Sequence, residues 1–175
     1  GMAAGAGVAS TDSVPGDPLY WVKTTRENIS LMVPRSDVDK AKTHIRLARE
    51  RGEEMGELMV KGNVGEAERL ERRLKGHLNS SAVLVGLTTA TNPMGMPYRP
   101  AMLHHPRNAA ALMDQLERDR AFLRARLIEL AQGTPPGLRP KMVMLRRRTE
   151  FGFYTLVAAL EGNDSQALPA FWRAE

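Results

Sequence analysis

The sequence predicts an all-α protein: an antiparallel helical bundle of two long helical hairpins preceded by a short helix. Three observations predict it. Between Ser36 and Lys61 the apolar and small residues fall at Val38, Ala41, Ile45, Ala48, Gly52, Met55 and Met59, with gaps that alternate three and four without a break. That is the seam of a long helix packed on a partner helix. The same step recurs at Ala67, Leu70, Leu74, His77, Ser81 and Leu84, and again in two later segments. No run of period two lasts more than four residues, so strands have almost no claim.

Residues 1–13 are rich in Ala, Gly and Ser and read as a tether. Val14-Pro15-Gly16 is a turn, and Asp17 caps a helix that opens with Pro18, where a missing N–H costs nothing. This first helix carries Leu19, Val22, Ile29, Met32 and Val33 on one side, and Pro34 ends it. Ser36 caps the second helix, whose first turn holds Asp37 and Asp39 at its positive end. Its small residues, Ala41, Ala48 and Gly52, call for close backbone approach. Gly62-Asn63 stops it, since both residue types tolerate a left-handed backbone. The third helix fades across 84–91, and Asn92-Pro93 closes it.

The connection 92–107 holds Pro93, Pro97, Pro100 and Pro106, and no regular element is expected there. Asn108 is the predicted cap of a fourth helix with Leu112, Leu116, Leu123, Leu127 and Leu130 on its inner face, widened by Phe122 and Ile128. After the break at 133–137, a fifth helix runs to about Glu161 with Leu138, Met142, Leu145, Thr149, Gly152, Leu156 and Ala159 on its seam and Phe153 and Leu160 flanking. The expected bundle is 14–162, with 14–91 as leading helix and first hairpin, 92–107 as connection, 108–162 as second hairpin and 163–175 as a tail.

Composition narrows the function classes. The 25 Lys and Arg stand against 20 Asp and Glu, a net charge of +5, which permits an anionic partner without demanding one. Cysteine is absent, which removes disulfides, thiolate metal sites and cysteine nucleophiles. Aromatics at 5% disfavour a base-stacking platform. No apolar run reaches the ~18 residues of a membrane span. Gly1 before Met2 reads as a cloning remnant, which leaves room for an upstream signal or anchor.

The stretch Pro15-Gly16-Asp17-Pro18-Leu19-Tyr20, with Lys23 one turn on, resembles the opening signature PGDPLYxxK of an uncharacterised bacterial helical domain family. The Ala- and Arg-bearing arm from Ala41 to Glu54 is similar to the first arm of that family's charged hairpin, and Gly62-Asn63 sits at its turn. The chain departs from the family's common form at Trp21 and in the Met- and His-bearing connection. The resemblance implies a place outside the cytoplasmic membrane, on an anti-sigma-factor-like or other envelope protein behind a single span, with no activity and no catalytic residues to carry over. The residues themselves give the motif a structural role: Asp17, Pro18, Leu19, Tyr20, Trp21 and Lys23 make a capped helix start whose two aromatics close the end of the bundle.

Few constellations carry chemistry. Met94, Met96, Met102, His104 and His105 are thioether and imidazole groups of the kind that suits copper, though the usual metal spacings are missing and Met also fills gaps under loops. His44 and His77, counted back from the turn, miss each other by roughly 6 Å at 1.5 Å per residue, so no shared metal site is expected. Arg139, Lys141, Arg146, Arg147 and Arg148 form the densest basic cluster, a candidate grip for an anionic ligand. The last three span about 200° of helix arc and cannot share one flat surface. Pairs such as Glu53-Glu54 and Glu66-Glu68 read as solvated helix faces, and Ser80-Ser81 near His77 lacks an orienting acid. No cofactor is called for.

The expected function is therefore a non-enzymatic extracytoplasmic interaction or sensor module with a protein partner. A periplasmic chaperone-like or copper-responsive adaptor and a basic helical nucleic-acid binder are the alternatives. A homodimer is compatible with seams of small residues.

Overall fold

The computed structural model describes residues 36–85, 90–91, 97–98 and 106–161. The tether, the leading helix with its signature, most of the proline-rich connection and the tail lie outside the described residues. Within them the fold is all-α.

Helix α1, Asp37–Val60, starts as the sequence predicts. The Ser36 hydroxyl accepts from the Asp39 amide at 3.2 Å and donates to the Asp39 carboxylate at 2.6 Å. Every predicted seam residue from Val38 to Met59 is buried. The helix ends in a Schellman closure: Gly62 has φ +78°, its amide donates to Met59 O at 3.2 Å, and the Asn63 amide donates to Leu58 O at 2.8 Å. Only Gly62 takes the left-handed conformation. Asn63 has φ −88° and instead caps helix α2, Val64–Leu84, its side chain accepting from the Glu66 amide.

Strands β1, Ala90–Thr91, and β2, Pro97–Tyr98, pair antiparallel with Ala90 opposite Tyr98. Strand β2 falls in the connection where no regular element is expected, and β1 falls at the fading end of the expected third helix. Helix α3, Pro106–Gly133, begins two residues before the expected cap, so Asn108 lies inside it. Pro106 at the first position gives up no helical hydrogen bond. Thr134, buried, ends α3 by donating to Leu130 O at 3.1 Å. A 3-10 turn, Pro136–Leu138, leads into helix α4, Arg139–Leu160.

α1 is the central helix. It packs most extensively on α2, then on α3; α3 packs on α4, and α2 touches α4 only lightly. The α1–α3 contact is close because two glycines face leucines. A Cβ on Gly52 would stand 2.5 Å from Leu123 Cδ2, and one on Gly56 would stand 2.6 Å from Leu130 Cδ1. Two flank assignments change. Phe122 and Ile128 face solvent rather than widening the α3 stripe, while Phe153, flanking the α4 seam as expected, is fully buried. The α3 seam step between Leu116 and Leu123 is filled by Asp119, buried and bonded to Gln115 at 2.6 Å and Arg49 at 3.4 Å.

Candidate functional site

The two histidines meet. His44 Nδ1 and His77 Nδ1 are 3.0 Å apart, with ring centroids 5.3 Å apart and planes tilted by 39°. The expected 6 Å miss came from counting both helices from the same height. The Asn63–Leu58 hydrogen bond folds the chain back over the last turn of α1, so α2 starts about one turn lower than the end of α1. Residues then pair at a sum near 121: 58 with 63, 44 with 77. The bond from Ser81 Oγ to Ala41 O at 3.3 Å continues the register. Ser81 thereby donates its hydroxyl proton to the backbone of α1.

A 3.0 Å contact between two ring nitrogens needs one N–H donor and one lone pair, so the pair is a hydrogen-bonded clasp between α1 and α2. Burial pushes both rings below the ordinary histidine value. His77 falls to about 4, first through burial and then through the charges of His44, Arg51 and Arg73. Arg51 is almost fully buried on α1 and forms a 2.6 Å ion pair with Glu54, itself buried. Glu54 is therefore not part of a solvated face, contrary to the sequence reading. Its neighbour Glu53 is half-buried, and burial raises its pKa against the pull of Arg49 and Arg126.

The basic cluster does not act as one patch. Arg139 donates to Thr134 O at 3.4 Å, Arg146 is half-buried, Arg147 is exposed, and Arg148 pairs with Glu71 on α2 at 3.5 Å. Lys141 and Arg148 instead line one groove between α2 and α4, of about 310 Å³. The same groove is lined by Met59, Ala67, Glu68, Glu71, Met144 and Leu145. Sequence reasoning missed it, because it lies between two hairpins whose mutual register no spacing encodes.

A second surface is mainly apolar, with exposed Arg147 inside it. Val143, Met144, Phe151 and Tyr154 on α4 are between 39% and 51% exposed and fall within about 100° of helix arc. Phe122 and Ile128 on α3 are exposed to a similar degree. Among the described residues no three His, Asp or Glu are placed to hold a metal ion. Met94, Met96, Met102, His104 and His105 lie outside the described residues, as do Asp17 to Trp21 and Lys23. No described helix is long and apolar enough to cross a membrane.

The fold thus defines an antiparallel helical-bundle domain with a polar clasp in its first hairpin and an open groove beside it. Residues 12–98 match the model of a family described as a domain of unknown function (DUF5667), so this part of the chain is similar to an uncharacterised domain family. No curated protein and no solved structure matches the chain.

Proposed function

We propose that the chain is a non-catalytic interaction and sensor module of a bacterial envelope or anti-sigma-factor-like protein, working outside the cytoplasmic membrane through contact with a partner protein. The observation that carries this reading is the solvent-facing row of Val143, Met144, Phe151 and Tyr154 on α4. Large apolar side chains gathered on one helix face are what a protein interface uses, and aromatics are its usual anchors. The buried acid–base groups do not argue for catalysis: Glu54 is paired with Arg51, and Ser81 is bonded to the backbone. The extracytoplasmic setting rests on the resemblance at Pro15–Tyr20.

The nucleic-acid alternative draws no support from the split basic cluster, and the copper alternative depends on residues outside the described part. The test is photocrosslinking in the parent cells from positions 143 and 154, followed by protease applied from outside. A discrete protein adduct that external protease removes is the expected result. An adduct that is protected refutes the location. No adduct from either position refutes the interface.

A further inference from the structure

His44 and His77 present the same atom, Nδ1, to each other across α1 and α2 at 3.0 Å. Both rings are half-buried, so the contact lies at the solvent edge of the seam rather than inside it. The helices are pinned beside it: Ser81 bonds Ala41 O at 3.3 Å, and Ile45 and Leu78 are fully buried. Two ring nitrogens are thus held at a set span on separate helices. That span is a chelate bite. With metal–nitrogen bonds of about 2.0–2.1 Å, nitrogens 3.0 Å apart subtend about 94° at an ion between them. A tetrahedral ion such as Zn(II) asks for a wider bite of about 3.3 Å. Square-planar and tetragonal ions take ligands at about 90°, and with nitrogen and oxygen donors that is the geometry of Cu(II) and Ni(II), of which Cu(II) binds the tighter.

The ring centroids are 5.3 Å apart, so the rings meet almost head on. To aim both lone pairs at one ion, each Nδ1 must swing by about 40° toward solvent. The ring that donates in the clasp moves its proton from Nδ1 to Nε2, which frees the second lone pair with no net loss of protons. Burial holds both rings below the ordinary histidine value, so each is neutral near pH 7 and able to ligate. Arg51 and Arg73 act against a cation at His77, but Arg51 is offset by Glu54 at 2.6 Å. Among the described residues no third His, Asp or Glu joins the pair, so water fills the remaining positions.

We propose that His44 and His77 together hold one Cu(II) ion in cis positions through their Nδ1 atoms. The site is separate from the Met- and His-bearing connection, and the proposal does not rest on the interface reading of the α4 row.

The experiment titrates the full chain with Cu(II) and counts bound imidazoles by pulsed electron paramagnetic resonance. The chain has four histidines, so in the variant His104→Gln with His105→Gln any two imidazoles on one ion are His44 and His77. One ion per chain with two imidazoles is expected in that variant. Adding His44→Gln or His77→Gln should each weaken binding about 100-fold, the loss of one arm of a two-point grip. Without those two changes, the ion should broaden amide signals around 44 and 77. It should spare the turn at Gly62, roughly 20 Å or more away along the helices. No saturable binding, fewer than two imidazoles once His104 and His105 are gone, or broadening that misses residues 44 and 77 overturns the proposal.

Discussion

Acid should unfasten the first hairpin through His77. The perturbation is a fall in pH from about 7.5 to about 4.5, in wild type and in His77→Gln. The unfolded chain titrates His77 near the ordinary value of about 6.5. The folded chain holds it down to about 4, because the ring is largely buried and faces His44, Arg51 and Arg73. The folded state therefore binds fewer protons between these two values, and stability is lost as pH falls through that window. From about 6.5 to about 4 the full loss is about 3.5 kcal/mol at ~1.4 kcal/mol per pH unit, and about 2.5 kcal/mol of it is gone by pH ~4.5. His44 shifts in the same direction and adds to the loss. Glu53 works against it, since its raised pKa favours the folded state on acidification. Taking the difference between wild type and variant removes that opposing contribution.

The structural cost has its own logic. One extra proton leaves an imidazolium donating to a neutral ring; the second makes two donors face each other at 3.0 Å, and the clasp cannot hold. Urea unfolding followed by helical circular dichroism gives the free energies. Near pH 7.5 the variant should be less stable by about 1 kcal/mol, the worth of one hydrogen bond. Near pH 4.5 it should equal or exceed wild type. Parallel pH curves for the two proteins would refute the reasoning, because they would mean that His77 binds protons alike in both states.

Gly52→Leu should overpack the α1–α3 contact, where even a Cβ meets Leu123 Cδ2 at 2.5 Å, and cost about 1–3 kcal/mol in urea unfolding. In Gly52→Ala with Leu123→Ala, each change relieves the crowding the other meets, so the double variant should lose less than the two single losses added together; strict additivity would place Leu123 elsewhere. Gly62→Ala keeps its space but not its backbone, and with φ at +78° it should cost about 1–2 kcal/mol and spare the rest of the circular dichroism spectrum. Asp119→Leu removes a buried carboxylate that bonds Gln115 and Arg49, and loss of these two bonds should make the variant less stable despite its better seam residue, with Arg49 left to Glu53 alone among the acids of the described residues. A more stable Asp119→Leu would show that the buried acid is only tolerated.

What the sequence made legible depended on how local the signal was. The α1 seam is legible because seven positions in one helix repeat a single spacing, and Ser36 and Gly62 act within one turn of themselves. The His44–His77 contact was not legible, because it depends on how far α2 drops back past the end of α1. One backbone bond, Asn63 to Leu58, decides that, and a count from the turn residues overlooks it. Phe122 and Ile128 were misplaced for a different reason. An apolar side chain beside a seam is buried only if another helix covers that flank, and residue type does not say which flank is covered. Asp119 and Glu54 escaped because charge was read as surface. Asp119 occupies a regular seam step, a signal that spacing alone carries, while Glu54 is held inside by Arg51.

The family match divides these features. Residues 12–98 contain both helices of the first hairpin and so the whole clasp: His44, His77 and the Arg51–Glu54 pair. The apolar row of α4 lies beyond residue 98. The groove straddles the boundary, its acidic wall inside the matched range and its basic wall outside. On the sensor reading proposed above, the first hairpin with its acid-sensitive contact would supply the response to conditions, and the second hairpin would supply the choice of partner, since it adds Lys141 and Arg148 to the groove and exposed Phe151 and Tyr154 to the surface. The two halves are joined through α1, the helix that packs on both α2 and α3. Loosening the clasp would shift α2 against α1 and with it the acidic wall of the groove.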